Sequence, residues 1–314
     1  MQVRSTGAKS ILSKTAGFIA EAGFTHSLTP ARNCTFGCTY CYVPTMGIYG
    51  GLKQEDWNRW GQFTTYKSNA PELLRRELRL INVSHPLPDG RGSVGIAGSP
   101  VRDPGHEVGD GRTTKHRIYC SPLVDPYQPA EAEERMMPRI LDALLDVAPR
   151  VFTIQTRGPL ILRDLDRLRL LSLRTTLRVS FSITTNREDI RRLYEPHCAS
   201  FEERLDVVRA LREADIETYA TLAPLLPCDP EVLARAALDA SHNHLIGDPL
   251  HIRATKRHGA TTREAAFKIG TMHDQGDYFD AGYQARMVEQ IDAFAREAGF
   301  TFTTGPSGFA RLAL

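Results

Sequence analysis

Short runs of β-branched and aromatic residues alternate with longer amphipathic stretches along most of the chain. The short runs predict strands at about 24–29, 117–122, 151–156, 177–184, 216–224 and 244–252. Apolar residues at helical spacing predict helices at 71–81, 130–147, 160–171, 187–194, 200–214, 230–241 and 283–299. This alternation indicates an α/β fold in which βα units build a parallel sheet. Six such units are fewer than the eight of a complete barrel.

One segment breaks the pattern. Residues 84–116 contain seven glycines and four prolines and show no periodicity, which predicts a flexible insertion. The segment is either a disordered insertion without function or a lid over the substrate. We therefore divide the chain into an N-terminal extension at 1–23, a core at 24–252 that carries the insertion, and a helical C-terminal extension at 253–314 that packs on the core.

Composition narrows the possible partners. The 39 basic and 37 acidic residues nearly cancel, so composition alone provides no general attraction to a polyanion such as DNA. The apolar runs are shorter than the roughly 18 residues that predict a membrane span. We expect a cytoplasmic protein with no membrane partner. Six cysteines in 314 residues are too few for a disulfide scaffold, so a close group of them points to metal binding or catalysis.

Three of these cysteines, Cys34, Cys38 and Cys41, lie within the stretch NCTFGCTYCY. This spacing lets one loop wrap three thiolates around a single metal site. A structural zinc or a closed iron–sulfur cluster needs four ligands. A cubane cluster held by three would keep one iron open for another ligand. Zinc with a distant fourth ligand such as His26 or Cys120 is the alternative.

The three cysteines, with aromatic Tyr40 before the last, resemble the signature of the radical S-adenosylmethionine superfamily. The resemblance implies an incomplete (βα)6 barrel of the TIM type. It implies that the thiolates hold a four-iron four-sulfur cluster whose open iron binds S-adenosylmethionine. An external one-electron reductant such as flavodoxin or ferredoxin would supply the electron that cleaves this cofactor to a 5′-deoxyadenosyl radical, which abstracts a hydrogen atom from the substrate.

Further segments resemble the spore photoproduct lyase-like branch of that superfamily, namely SPLVDPYQPAE, FSITT, YEPHCASFEERLDVVRAL and ATLAPLLP. In this branch a cysteine after the second strand returns a hydrogen atom to the product radical, and Cys120 stands at the corresponding place. Taken alone, Cys120 is better interpreted as a small packing residue than as a reactive thiol, and with the resemblance both roles stay open. Tyr40 and Tyr42 match tyrosines beside the cluster, Tyr40 near the cofactor and Tyr42 as a catalytic radical relay.

The resemblance also implies contacts to S-adenosylmethionine. Asp125 matches an aspartate after the second strand, and Ser182 matches a serine of the fourth. Arg157 stands where a lysine is usual, and its forked guanidinium changes the geometry of any contact to a carboxylate. Glu195 and Arg204 match a motif that we interpret as structural support. Cys198 and Cys228 have no partner at ligand spacing, and we interpret both as packing residues.

Together these features predict a radical S-adenosylmethionine enzyme whose substrate the sequence does not identify. A photoproduct in DNA, repaired by lyase chemistry on a carbon–carbon bond, is one candidate, and a protein or small molecule is another. The near-neutral charge argues against DNA, since phosphate neutralisation dominates binding to it. The alternative function is a non-catalytic zinc or iron–sulfur protein in which the thiols only stabilise a loop.

Overall fold

The computed structural model describes residues 1–45, 56, 58–83, 115–250 and 264–314. Nearly all of the predicted insertion at 84–116 lies outside the described residues, so its flexibility stays a prediction. The strands are β1 (Gln2–Thr6), β2 (Leu12–Lys14), β3 (His26–Leu28), β4 (Ala31–Arg32), β5 (Phe63–Lys67), β6 (Arg117–Cys120), β7 (Val151–Thr156), β8 (Thr176–Ser182), β9 (Glu217–Leu225), β10 (Leu245–Pro249) and β11 (Phe302–Thr304).

The main sheet has the strand order β11-β10-β9-β8-β7-β6-β3-β2. Every neighbouring pair from β3 to β11 is parallel, and only β2 pairs antiparallel, on the edge beside β3. The prediction of an α/β fold built on a mostly parallel sheet is therefore confirmed. The six predicted strands correspond to β3 and β6–β10, and the C-terminal segment adds β11 as a further parallel strand.

A second, small sheet was not predicted. In it β5 pairs parallel with β1 and antiparallel with β4. The strand β1 belongs to the predicted N-terminal extension, and β4 ends directly before the cysteine segment. This sheet therefore supports the loop that carries Cys34, Cys38 and Cys41.

The helices of the described residues are α1 (Gly17–Glu21), α2 (Ala70–Val83), α3 (Glu131–Glu134), α4 (Met136–Asp146), α5 (Leu165–Ser172), α6 (Glu188–Tyr194), α7 (Phe201–Glu213), α8 (Pro230–Ser241), α9 (Glu264–Met272), α10 (Ala281–Glu297) and α11 (Gly305–Phe309). None of them is long and apolar enough to cross a membrane. Along the sheet α2 packs on α4, α4 on α5, α7 on α8 and α8 on α10, so the helices form a row that follows the strand order.

The prediction of one helix at 130–147 is wrong, because the structure has α3 and α4 there. They meet at Arg135, which has a left-handed backbone with φ of 49°. In a continuous helix Pro138 would lack the N–H for the Glu134 carbonyl, and its ring would clash with that carbonyl. In the first turn of α4 Pro138 is tolerated, and the Glu131 carboxylate accepts a 2.7 Å hydrogen bond from the Met137 N–H.

The predicted helix at 160–171 also begins later than expected. A 3₁₀ segment, Pro159–Asp164, precedes α5. Within it the Arg163 guanidinium bridges the carboxylates of Asp164 and Glu131, and this buried contact ties the segment to α3. A tertiary ion pair of this kind has no local sequence pattern, so periodicity alone extended the helix.

Alternate residues of each parallel strand face opposite sides of the main sheet. One side, the helix face, carries apolar residues that pack with the helices in the main core, such as Ile118, Ile154 and Phe181. The opposite face packs partly against the C-terminal segment, where Tyr119 and Tyr219 join Phe309 in a separate cluster. The other residues of the opposite face include the buried polar side chains of Thr153, Ser180, Ser182 and Thr221.

Candidate active site at the carboxyl ends of the strands

The predicted site residues gather at one edge of the sheet. Because the strands of the main sheet are parallel, their carboxyl ends lie together, and in parallel α/β folds this end of the sheet commonly carries the binding site. The cysteine segment follows β4, Asp125 follows β6, and Arg157 comes directly after β7. Cys120 and Ser182 are the last residues of β6 and β8.

Buried polar side chains hold the start of the cysteine segment. Asn33 has a left-handed backbone with φ of 64°, which turns the chain out of β4. The Gln128 Oε1 accepts hydrogen bonds from the Thr35 N–H at 2.8 Å and the Thr35 hydroxyl at 3.1 Å. The Gln128 amide in turn donates to the Thr64 hydroxyl at 3.1 Å, and that hydroxyl donates to the Asn33 carbonyl at 2.9 Å. These contacts join the loop to β5 and to the segment after β6.

A buried charge network lies beside Cys38. The Glu195 carboxylate is fully buried and bridges two guanidinium groups, those of Arg157 and Arg204. The Tyr40 hydroxyl donates to the same carboxylate and accepts from Arg157. The Arg157 Nη1 also lies 3.6 Å from the Cys38 Sγ. The motif that we interpreted as structural support therefore contacts the cysteine segment directly.

The network controls the charge of Glu195. Burial would raise the pKa of this carboxyl, but Arg204, Arg157 and the Tyr40 hydrogen bond outweigh it and lower the pKa to about 2. Burial would likewise lower the pKa of Arg204, yet the facing carboxylate raises it. The carboxylate and both guanidinium groups are therefore charged at neutral pH.

Cys198 is a residue that the sequence interpretation missed. Its Sγ, the Cys38 Sγ and a Glu195 carboxylate oxygen all lie within 4.8 Å of one another. Among the described residues this is the one such group of three or more metal-ligating side chains. Cys198 stands far from the cysteine segment in the chain, so spacing could not reveal it. The only available signal was its position three residues after Glu195.

Cys34 lies against the segment that follows β6. Burial and the Asp125 carboxylate raise the pKa of the Cys34 thiol, while backbone hydrogen bonds from Phe36 and Asp125 act in the opposite direction. The Asp125 carboxylate holds neighbouring backbone groups in place. Its carboxylate accepts from the Tyr127 N–H at 2.9 Å, the Thr156 hydroxyl at 2.6 Å and the Arg157 N–H at 2.8 Å. The cysteine segment and the loops after β6 and β7 are thereby fixed relative to one another.

Tyr42 links the cysteine segment to the same region, because its hydroxyl donates to the Pro122 carbonyl at 3.1 Å. Burial raises the pKa of Tyr42, so the phenol is neutral.

Cys120 lies on the helix face with Ile118 and belongs to the main apolar core. Its side chain is fully buried, and burial raises the pKa of the thiol. This position favours the packing interpretation of Cys120.

Ser182 lies on the opposite face, beside a row of buried hydroxyl groups. The Ser180 and Thr221 hydroxyls are hydrogen-bonded at 2.6 Å, and the Thr153 hydroxyl donates to the Leu312 carbonyl at 2.8 Å. His26, named above as a possible zinc ligand, is the first residue of β3. In the sheet it lies opposite Lys14 of β2 and Ile118 of β6. Its ring packs on His116, at 4.9 Å between centroids, away from the cysteine segment.

The residues at this edge fit a cluster with S-adenosylmethionine. The Cys34 sulfur receives backbone N–H groups and the Cys38 sulfur receives a guanidinium N–H, the hydrogen bonds that tune cluster sulfurs. The Asn33 Oδ1 and the Ser121 Oγ are buried without a hydrogen-bond partner among the described residues. Unsatisfied buried polar atoms are rare, so a water molecule or a polar ligand is expected to contact them.

Two uncharacterized proteins are similar to this chain in sequence. No model of a protein family matches the chain. The uncharacterized protein MJ0683 of Methanocaldococcus jannaschii is 24% identical over 194 residues, which span 62% of this chain and 58% of that protein. The uncharacterized protein Rv2578c of Mycobacterium tuberculosis is 26% identical over 300 residues, 90% of this chain and 77% of that protein. The chain thus matches less than two thirds of the length of MJ0683.

Solved structures give the fold. A variant of spore photoproduct lyase matches with a TM-score of 0.54 at 14% identity, over 96% of this chain and 81% of that one. Another variant of the lyase, with bound AdoMet and dinucleoside spore photoproduct, matches with a TM-score of 0.51 over the same shares. The chain therefore shares the fold of spore photoproduct lyase, as the resemblance implied.

Proposed function

We propose that the protein is a radical S-adenosylmethionine enzyme in which Cys34, Cys38 and Cys41 hold a four-iron four-sulfur cluster. The observation that supports this most directly is the charge network of Glu195, Arg157, Arg204 and Tyr40, which fixes the Cys38 loop at the carboxyl ends of parallel strands. When bound, the cluster and S-adenosylmethionine would supply one-electron chemistry and a carbon radical. The sheet would then form the incomplete barrel that the sequence predicts.

The chain's own residues would orient the cofactor and keep water away from it. Ser182 lies on the opposite face and is available for its polar groups. The Asn33 Oδ1 and the Ser121 Oγ, which have no hydrogen-bond partner among the described residues, are available as well. Asp125 uses both carboxylate oxygens to hold the loops after β6 and β7. Arg157 is paired with Glu195 and Tyr40, so we propose that it positions Tyr40 and Cys38 in addition to any contact with the cofactor.

The spacing of the donors argues against the zinc alternative. A tetrahedral zinc ion holds its sulfur ligands about 3.8 Å apart. Among the described residues, the sulfur atoms of Cys34, Cys38 and Cys41 do not all lie within 4.8 Å of one another. The Cys38 sulfur does lie that close to the Cys198 sulfur and a Glu195 carboxylate oxygen. In that group the carboxylate is already bound by two guanidinium groups. Because the three segment thiols do not all lie within 4.8 Å of one another, they suit a larger cluster better than a single zinc ion.

An anaerobic assay tests the proposal. The full chain is reconstituted with iron and sulfide, reduced with dithionite and incubated with S-adenosylmethionine, and 5′-deoxyadenosine is quantified. We expect product from the wild type and from the Cys228→Ala control, and at least a tenfold loss in Cys38→Ala, because one ligand is removed. Equal yields from wild type and Cys38→Ala, or colourless protein holding only zinc, would contradict it.

The substrate is a separate proposal. We propose a DNA photoproduct as the first substrate to test, because the solved lyase with the same fold is bound to a dinucleoside spore photoproduct. The test incubates the reduced, reconstituted protein with an oligonucleotide carrying that lesion and measures the remaining lesion by mass spectrometry. Intact lesion alongside continued 5′-deoxyadenosine formation would exclude DNA repair and leave the enzyme class standing.

A further inference from the structure

The thiol of Cys198 lies beside that of Cys38, and the proposed function gives Cys198 no role. Their Sγ atoms lie within 4.8 Å of each other, and each residue is only 7% exposed. Both belong to the same buried cluster, together with Phe36, Tyr40 and Tyr194. Nothing in the radical chemistry requires a thiol at position 198, so its place beside a proposed cluster ligand calls for a role of its own.

Hydrogen bonds hold the two segments that carry these thiols side by side. The Thr39 N–H, directly after Cys38, donates to the Tyr194 carbonyl at 2.9 Å. The Arg191 Nη1 donates to the carbonyls of Glu195 at 3.0 Å and Cys198 at 2.8 Å, which fixes the turn between them. The thiols therefore remain neighbours because the backbone is tied, and their proximity does not depend on a bound metal.

A metal ion shared by Cys38, Cys198 and Glu195 is disfavoured. The Glu195 carboxylate already pairs with Arg157 on one oxygen and Arg204 on the other. A divalent cation at this carboxylate would stand against two buried guanidinium groups, and like charges in a buried site repel strongly. The Cys198 sulfur is then left with the Cys38 sulfur as its neighbour, while Cys38 also receives the Arg157 guanidinium.

We propose that Cys38 and Cys198 form a reversible disulfide when Cys38 carries no metal, with a hydroperoxide as the oxidant. The Cys38 sulfur attacks the peroxide, the O–O bond breaks, and a sulfenic acid and water form when hydrogen peroxide is used. The Cys198 sulfur then attacks the sulfenic sulfur, the S–S bond forms, the S–O bond breaks, and a second water leaves. Two thiols are oxidised by two electrons and one peroxide is reduced.

Closing the bond requires the two sulfurs to approach from a separation that is within 4.8 Å. A disulfide has an S–S bond of about 2.05 Å and needs Cβ atoms about 3.5–4.5 Å apart. Rotation of the two side chains, with movement of the turn from Glu195 to Cys198, would have to bring the sulfurs together. Hydrogen peroxide is close to water in size, so it can reach side chains that are as little exposed as these.

The disulfide would protect Cys38 and would also withhold it from metal. A thiol oxidised beyond the sulfenic state is lost irreversibly, whereas a disulfide is restored by reduction. If Cys38 is a cluster ligand, as the proposed function requires, the oxidised chain cannot assemble the cluster until a dithiol reduces it. This consequence rests on the proposed function, while the disulfide itself does not.

The test uses the full-length chain, freed of metal by chelation in a reducing buffer and then treated with one equivalent of hydrogen peroxide. Remaining thiols are alkylated, and the protein is analysed by mass spectrometry before and after reduction with dithiothreitol. We expect two thiols to be lost together, a mass about 2 Da lower for the intact chain before alkylation, and a linked peptide whose fragmentation joins Cys38 to Cys198. Dithiothreitol should restore both thiols.

Matched serine variants provide the controls. Cys38→Ser and Cys198→Ser should each abolish the linked peptide, whereas Cys34→Ser, Cys41→Ser and Cys228→Ser should retain it. A link within the cysteine segment, a link from Cys198 to Cys34 or Cys41, or retention of all six thiols would overturn the proposal. Disulfide mapping of the wild-type protein tests the proposal even where a variant fails to fold. If the linked peptide forms but the reduced chain assembles no cluster, the disulfide stands and only the proposed function is contradicted.

Discussion

At the residue scale, contacts between distant segments hold the side chains around Cys38 in place. Cys34, Cys38 and Cys41 could be named because their ligand spacing is local. Glu195 and Arg204 were noticed by resemblance, but their ion pair around Arg157 and Tyr40 joins distant segments. Cys198 was interpreted as a packing residue, because only folding brings its sulfur beside Cys38. Local patterns reveal ligands on one loop and cannot reveal contacts between loops.

Replacing Glu195 should destabilise the protein strongly. In Glu195→Gln the buried guanidinium groups of Arg157 and Arg204 lose their counter-charge, and breaking a buried pair in this way costs about 3–5 kcal/mol. Urea denaturation of the metal-free chain in reducing buffer measures the change. Asp189→Asn is the control, because its pair with Arg187 is exposed and should contribute less than about 1 kcal/mol. Similar losses in both variants would contradict a buried, essential carboxylate.

Two substitutions at Cys120 separate its packing role from a polar one. In the apolar core Cys120→Ala removes an atom about the size of a methylene group and should cost about 1 kcal/mol. Cys120→Ser buries a hydroxyl there and should cost more, roughly 1–3 kcal/mol if the hydroxyl finds no partner. Denaturant midpoints rank the two variants. Serine tolerated as well as alanine would instead place this side chain in a polar site and favour the hydrogen-donor role.

At the scale of elements, periodicity located most helices and strands of the core and failed where backbone chemistry intervened. The strand predicted at 151–156 is observed at Val151–Thr156, and the helix predicted at 230–241 at Pro230–Ser241. The break at Arg135 arises from Pro138 and a left-handed residue, which hydrophobic spacing does not register. The short strands β1, β4 and β5 were missed because their existence depends on pairing with one another.

The loops after β6 and β7 approach so closely that one position between them requires glycine. A Cβ at Gly158 would lie 2.1 Å from the Tyr127 carbonyl oxygen, so Gly158→Ala must push the two loops apart. We expect a loss of about 1–3 kcal/mol in the free energy of unfolding, as for other overpacked sites. Because Gly158 follows Arg157, iron binding by the cysteine segment should weaken as well.

Gly276→Ala is the matched control for this prediction, because a Cβ there meets no atom within 4 Å. Its unfolding free energy should stay within about 0.5 kcal/mol of wild type, as is usual for surface substitutions away from special sites. Denaturation and iron analysis of both variants measure the two effects. Equal stability of Gly158→Ala and Gly276→Ala would show that the loops can separate without cost.

At the scale of the whole molecule, the parallel pairing of the strands brings motifs that are distant in the chain to the same end of the sheet. Six segments that the sequence predicted as strands run in the same direction, so the residues that follow them meet at one edge. The alternation of faces adds a second division, which places Cys120 in the helix-side core and Ser182 on the opposite side. Which face a residue takes depends on strand register, and the motifs alone did not give it.

The buried network also predicts how the stability of the whole molecule depends on pH. The pKa of Glu195 falls from its ordinary 4.5 to about 2 on folding. The unfolded chain therefore binds this proton first as pH falls, so the stabilisation is complete above about pH 4.5 and is lost between there and pH 2. The loss should reach about 1.4 kcal/mol per pH unit within that range.

Other groups titrate nearby, so the difference between wild type and Glu195→Gln is the quantity to measure. Burial raises the pKa values of Asp125 and Glu131 and lowers those of His26 and His244, and both proteins share these contributions. The gap in unfolding free energy should be widest and flat from pH 5 to 7 and should narrow as pH falls below 4.5, since protonated glutamate resembles glutamine. Urea denaturation at each pH measures it. A gap that stays constant down to pH 2.5 would mean that folding leaves the pKa of Glu195 unchanged, and Arg157 and Arg204 would then not stabilise its charge.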